Sequence, residues 1–425
     1  MINPIFAQPI VVGRRLLALL TTLAIALVLS GMGATSAHAA TSTPAIVAGS
    51  PTTNAFTQFT EYNGLLYFSA VNGAVNSLYS YDGVNPPVLI AGTVTEPNAL
   101  VVTNGLLFFA GGTGVSNAMY SYDSTTPLVA PIAINGSPTQ PGRLYVSGGL
   151  IYFNAFDIIS GTTRAFIYNP LTPLTDPVVM AGSPAGPYDF TEYGGLIYFG
   201  GYSGVNNVVY SYDPASPATG AVLIAVSPTF PGRFTVYGGI LYFSGHNGAS
   251  TVLHSYDGTT LTEVAGSPLG ISGLAVYAGN LYFAGSNGTS TVLHSYNGTS
   301  FSEVAGSPVN PSGFAIYDGN LYFVGNTGTS VVLHSFNGTT VSEVAGSPTN
   351  PISLTAFAGK LYFSAPAGIE QPPRMWVLAT LAAPAGLPAT GPNTALPLGL
   401  AGALLLAGGL ALMLARRRAL PAQRV

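Results

Sequence analysis

One unit, repeated eight times, constrains this chain more than any other feature. A Tyr-Phe or Phe-Phe pair recurs at Tyr67-Phe68, Phe108-Phe109, Tyr152-Phe153, Tyr198-Phe199, Tyr242-Phe243, Tyr282-Phe283, Tyr322-Phe323 and Tyr362-Phe363. The Phe-to-Phe spacings are 41, 44, 46, 44, 40, 40 and 40. Such a period marks stacked supersecondary units. Each unit reads as four short strands; in residues 271–306 these are ISGLAVYAG, NLYFAGS, TVLHSYNG and TSFSEVAG. The joints carry Asn-Gly and Asp-Gly, hairpin signals because both residues tolerate positive φ. No segment between residues 45 and 380 has a helical period.

Four antiparallel strands in 40–45 residues is the size of a β-propeller blade. Leu65, Leu66, Tyr67 and Phe68 run without a polar break, as expected of a strand buried on both faces between stacked blades. The expected fold is all-β, an eight-bladed propeller over residues 40–380. An open solenoid would need polar capping repeats, and none is visible. The last unit has strands near 352–357, 361–366 and 374–379 but no fourth. Ala45-Ile46-Val47-Ala48-Gly49-Ser50-Pro51 matches the fourth-strand segment Glu343-Val344-Ala345-Gly346-Ser347-Pro348. The N-terminal segment is therefore expected to close the last blade, burying Ile46 and Val47 and leaving no ladder unpaired.

Composition removes several classes. The chain has no cysteine, which excludes disulfides, zinc ribbons and thiol catalysis. Its 24 Tyr and 21 Phe argue against disorder. Long apolar runs occur only at the two ends. Those ends hold six of the eleven basic residues, and all fifteen acidic residues lie between them, so the body carries a net charge of −10. Arg143, Arg164, Arg233, Lys360 and Arg374 are scattered along it and make no basic face for nucleic acid.

The ends read as an address. In residues 1–39, Arg14 and Arg15 precede the apolar run Leu16 to Leu29, and Ala37-His38-Ala39 is a small-residue cleavage site. This is a secretory signal peptide for the general export route, with Ala40 as the mature start; a retained membrane anchor is the other reading. After a short linker, 381–386, comes Leu387-Pro388-Ala389-Thr390-Gly391. Residues 392–425 follow, with an apolar stretch from Ala395 to Ala415 and a basic stop at Arg416, Arg417 and Arg418. The stretch spans about 30 Å as a helix, enough to cross a bilayer, and the arginines belong in the cytoplasm. The combination resembles the LPxTG cell-wall sorting signal of Gram-positive surface proteins. That resemblance implies two partners, sortase and peptidoglycan. It implies cleavage between Thr390 and Gly391, linkage of Thr390 to the wall, and a membrane-bound state before sorting. A plain C-terminal membrane anchor is the alternative.

The repeat itself resembles two propeller families. Tyr-x-Gly-x-Leu-Tyr-Phe-x-Gly followed by a Tyr-Asp strand is similar to the kelch repeat, with Gly111-Gly112 and Gly200-Gly201 at its paired glycines. The run Leu66-Tyr67-Phe68-Ser69-Ala70 … Leu78-Tyr79-Ser80-Tyr81-Asp82-Gly83 is similar to bacterial repeats with an ELWxxDGT signature. Both imply the fold and leave the function open.

Four sets of polar residues need a role. His254, His294 and His334 share one repeat position with Tyr79, Tyr120, Phe166, Tyr210 and Trp376, so the position wants a flat ring. On a third strand these histidines are too far apart for one zinc. Asp82, Asp257, Asn297 and Asn337 lack the dense carboxylates of calcium loops and read as hairpin turns. Glu61 and Glu192 occupy an innermost-strand position that is Val102, Val146, Val236, Val276, Ile316 or Ala356 elsewhere. A carboxylate in an apolar slot must be paired or face water, which makes these two the candidate ligand residues. Asp157, Asp176 and Asp189 fall in the irregular third and fourth units. No GxSxG, HExxH or phosphate-cradling glycine motif is present, and no catalytic residue, metal or cofactor is assigned.

The expectation is an exported, wall-anchored surface protein whose propeller displays or binds glycans or proteins. The alternatives are a carbohydrate-active enzyme with its site at the channel mouth, and a structural coat protein.

Overall fold

The computed structural model describes residues 42–379, apart from 53–57, 93, 115, 128 and 369. They form eight four-stranded antiparallel sheets, each a blade. Blade six shows the pattern: Leu269–Tyr277, Asn280–Ser286, Thr291–Tyr296 and Phe301–Glu303. The first strands of neighbouring blades meet all the way round, including Phe59–Tyr62 of blade one against Ile352–Phe357 of blade eight. The ring is closed. The single helical element among the described residues is a three-residue 3₁₀ turn, Pro217–Thr219.

The repeated aromatics are the core. Eight apolar clusters occur among the described residues, one between each pair of adjacent blades. Each Phe of the pair is fully buried from Phe68 to Phe363. Burying one such ring stabilises the fold by roughly 1.5–3 kcal/mol. The pair divides its labour. The Phe stacks within its blade on the third-strand ring: Phe68 on Tyr79, Phe109 on Tyr120, Phe153 on Phe166 and Phe199 on Tyr210. The Tyr reaches the next blade, as Tyr198 to Tyr256 and Tyr242 to Tyr296.

The histidines take the flat-ring position as expected. His254, His294 and His334 are buried and lie nearly parallel to Phe243, Phe283 and Phe323, at 16°, 9° and 15°. Each donates Nδ1–H to a carbonyl two residues earlier: Val252, Val292 and Val332. Burial holds His254 and His334 below their ordinary pKa of 6.5.

Ala45–Ile46 is the fourth strand of blade eight, in register with Val377 and Trp376 of Pro373–Ala379. Val47 N–H donates to Met375 O at 2.9 Å, as Val264 N–H does to Leu253 O in blade five. Met375 N–H donates to Ser50 Oγ, as Leu253 N–H does to Ser267 Oγ. The N-terminal Ala-Gly-Ser-Pro motif thus repeats in blade eight what the motif does elsewhere. One expectation fails. Val47 is buried, but Ile46 is 39% exposed. Side chains of the outermost strand alternate, and the Ile46 position points to solvent in other blades too, as at Leu89 and Leu223.

A second repeated device ties blade to blade. Tyr193, Tyr237, Tyr277 and Tyr317 donate their hydroxyls to Gly239, Gly279, Gly319 and Gly359 O of the following blade. Where Thr103 replaces this tyrosine, Asn104 Nδ2 donates to Gly149 O instead.

Candidate functional site

Glu61 and Glu192 lie near the ends of the first strands of blades one and four, and both are exposed. The structure does not bring them together. Their slot is solvated: Val236, Val276 and Ile316 there are 42%, 37% and 49% exposed. Glu192 accepts the Ser147 hydroxyl, and its backbone N–H donates to Tyr145 Oη at 2.8 Å, so it bridges blades three and four. Asp82, Asp257, Asn297 and Asn337 cap their own turns; Asp257 Oδ1, for example, accepts the N–H groups of Thr259 and Thr260. Among the described residues no cluster of His, Asp and Glu could hold a metal ion. None of their helices is long and apolar enough to cross a membrane. The signal segment, Leu387 to Gly391, Ala395 to Ala415 and Arg416 to Arg418 lie outside the described residues.

The unusual chemistry sits at the other end of the first strands. There the crossover from one blade delivers the chain to the next, beside the hairpins that join strands two and three. We call this the crossover face. In blades two to eight the first strand carries register shifts there, and two residues three apart adopt positive φ. Blade six places glycines at both, Gly270 and Gly273, the residue for which that region costs nothing. Other blades place side chains there: Glu96 and Ala99 in blade two, Gln140 and Arg143 in three, Asp189 after Gly186 in four, Phe230 and Arg233 in five, Asn310 before Gly313 in seven, and Asn350 and Ser353 in eight. The crossover turn preceding the strand also needs positive φ; Gly266, Gly306 and Gly346 supply it, but blade five has Val226 at φ 58. A β-branched residue there is an outlier costing about 1–2 kcal/mol.

These residues converge. Arg143 Nη1 donates to Asp189 Oδ1 at 3.2 Å, the one ion pair among the described residues. Asp189 Oδ2 accepts the Arg233 backbone N–H at 3.1 Å, so one carboxylate links three consecutive blades. The Arg143 guanidinium lies 5.8 Å from the centre of the Tyr188 ring. Tyr188 fits because its neighbour is Gly200; a Cβ at that position would lie 2.4 Å from its ring. Burial, reinforced by Asp189, pushes the Tyr188 hydroxyl up to about 12. The Arg143 side chain stays 56% exposed. Beside Arg233, Val226 and Phe230 are 91% and 62% exposed. Val226, Pro228, Leu261 and His246 line an open cleft of about 450 Å³. His246 Nδ1 accepts the Gly248 N–H, leaving its other nitrogen to donate.

Sequence reasoning missed this cluster, because it read the cations as scattered. The signal was present in the aligned repeats. Pro141-Gly142-Arg143 and Pro231-Gly232-Arg233 share a position, and Ala225-Val226-Ser227-Pro228 breaks the Ala-Gly-Ser-Pro motif. Of the irregular-unit acids, Asp189 belongs to the cluster. Asp157 caps its turn through Ile159 N–H, and Asp176 accepts Asn135 Nδ2.

No protein-family model and no curated protein matches the sequence. Among solved structures the chain is similar to the computationally designed Ika8 protein, at 12% identity over 78% of this chain and 98% of that one, with a TM-score of 0.51. It also matches the β-propeller domain of the Trilobed protease from Pyrococcus furiosus, at 12% identity, 68% and 98% coverage and a TM-score of 0.43. A prolyl endopeptidase matches at 11% identity and a TM-score of 0.49, over 74% of this chain and 55% of that one. At such identities the likeness is one of fold. The class defined is an eight-bladed β-propeller of four antiparallel strands per blade.

Proposed function

We propose that the chain is an exported surface protein, joined to the cell wall by sortase, whose propeller binds through the crossover face of blades three to five. It makes no covalent chemistry of its own. One observation carries the reading: exposed Arg143, Arg233, Val226 and Phe230 occupy positive-φ positions that glycine fills in blade six. Val226 is the sharpest case: its counterparts Gly266, Gly306 and Gly346 are glycine, and it stays 91% exposed, so strain is kept at the surface for little packing, which points to a use other than folding. The order of signal segment, propeller, LPATG, apolar stretch and arginine cluster supports the address.

Two experiments test it. Changing Leu387 and Pro388 together to Ala is expected to move the protein from the wall fraction to membrane and medium. A double mutant still released only by a cell-wall hydrolase would exclude sorting. The mature chain is expected to bind an array of glycans and peptides in a manner lost on changing Arg143 and Arg233. Turnover of a polysaccharide by the wild type would favour an enzyme instead.

A further inference from the structure

Blade five differs from its sister in a way that specifies a ligand. Blades five and six have the same third strand, TVLHSY, and the same buried Phe-His stack. On the crossover face, Val226, Phe230, Arg233 and His246 replace Gly266, Gly270, Gly273 and Ser286. Each change adds an exposed or half-exposed side chain, and three of them do so at positive φ.

Charge narrows the ligand. Three of the body's five cations, Arg143, Arg164 and Arg233, lie in blades three and five; Asp189 of blade four sits between Arg143 and Arg233, and Arg164 has Asp157 nearby. Arg164 stands near the start of its strand, and its Nε is buried without a partner among the described residues. Asp189 takes a single N–H of the Arg143 guanidinium and only the backbone of Arg233. Most of the ten guanidinium N–H donors of Arg143 and Arg233 remain for an incoming acceptor. Planar forks of this kind match a carboxylate. Shape narrows it further. Thr229, which borders the cleft, pairs with His246, and Gly232, next to Arg233, pairs with Ser244 two residues along, so Arg233 follows the cleft by roughly 10 Å of this bulged strand. Val226, Pro228 and Leu261 give the cleft an apolar wall, and Thr229, Asn247 and Glu263 line it too, with Asn247 Nδ2 donating to the Glu263 carboxylate, so the cleft itself suits an apolar group and not an acid. Guanidinium groups beside an apolar wall want an acid next to an apolar group.

Building on the reading of the propeller as a binding module, we propose that this face receives a peptide segment bearing an acidic residue close to an apolar one. Arg143 and Arg233 take the carboxylate, and the cleft beside Val226 and Phe230 takes the apolar side chain. The partner is thus a protein with an exposed acidic-hydrophobic stretch.

The test uses the mature chain and immobilised short peptides with Glu beside Leu or Phe, the same peptides with Gln for Glu, and two acidic glycans, hyaluronan and polygalacturonate. The acidic peptides are expected to bind, their Gln counterparts about tenfold more weakly, and binding to weaken with salt. Arg143→Gln and Arg233→Gln should each cost about tenfold. Val226→Gly should weaken binding while raising the melting temperature, which separates lost contact from lost fold. Peptide binding unchanged in both Arg variants overturns the proposal. So does binding to neither peptide set. Arginine-dependent binding to the glycans alone also overturns it, while leaving the binding-module reading intact. Absence of binding to any probe, with no adhesion of cells displaying the protein, removes both.

Discussion

Blades five and six are forty residues apart and nearly interchangeable inside. Phe243 and Phe283 are both fully buried, and Tyr242 and Tyr282 both reach the following blade. They part on the crossover face, where blade six is glycine and serine and blade five is Val226, Phe230, Arg233 and His246. Packing fixes the first set of positions, because an interior at crystal-like density tolerates little change in volume. The second set lies at the surface, with Val226 and Phe230 mostly exposed. A propeller thus holds its fold and its surface in separate residues of one repeat, and a single blade can acquire a surface without disturbing its neighbours.

The sharpest test is at the shared interior. Phe243→Ala and Phe283→Ala should each cost about 3–5 kcal/mol, by emptying equivalent fully buried sites. Denaturant midpoints would read this, and a clearly smaller loss in blade five would show that the cores are not equivalent. Next is the strained turn. Val226→Gly should stabilise the protein by about 1–2 kcal/mol, and Gly266→Val should destabilise it by a similar amount. A Val226→Gly protein that melts lower would mean that Val226 has packing value absent from this structure. Third is the tyrosine latch. Tyr237→Phe and Tyr277→Phe, each removing a hydroxyl bonded to a glycine carbonyl of the following blade, should cost about 1 kcal/mol alike.

The smallest effect appears with pH. His254 and His334 are held below 6.5 by burial, so the unfolded chain binds more protons than the folded one once the pH drops below 6.5. Their contribution is complete above that value and is lost as the pH falls from there through the folded-state pKa. Replacing both by Phe, the residue at the same position in blade three, should flatten the melting temperature between neutral and mildly acidic pH. An unchanged slope would show that other groups set the acid sensitivity.

The repeat made much of the architecture legible. The Tyr-Phe pair is both the periodic signal and the core, so spacing alone counts the blades. Closure was legible because Ala48-Gly49-Ser50-Pro51 copies a motif that ends other blades. The exposure of Ile46 was not. Two adjacent apolar residues on an edge strand alternate, and only the register against Trp376 shows which one turns inward. The cluster on blades three to five was hidden for another reason. Arg143 and Arg233 are 90 residues apart in sequence, and the ring makes that separation short. In the sequence Val226 is only a break in the Ala-Gly-Ser-Pro motif; its positive φ is what makes the break costly.

The two-ended last blade also has a mechanical meaning. The final described strand, Pro373–Ala379, is not an edge. It lies between Lys360–Pro366 and the N-terminal segment, and even its last residue is held: Ser42 N–H donates to Ala379 O at 2.7 Å, and Ala379 N–H to Ser42 Oγ. A load applied beyond residue 379 along the strand meets two ladders at once and must shear them together. Had the closing strand come from the C-terminal side, the loaded strand would be the outer one and would unzip bond by bond. Under the proposed wall linkage, the tether would therefore pull on a clamped strand and not on an edge.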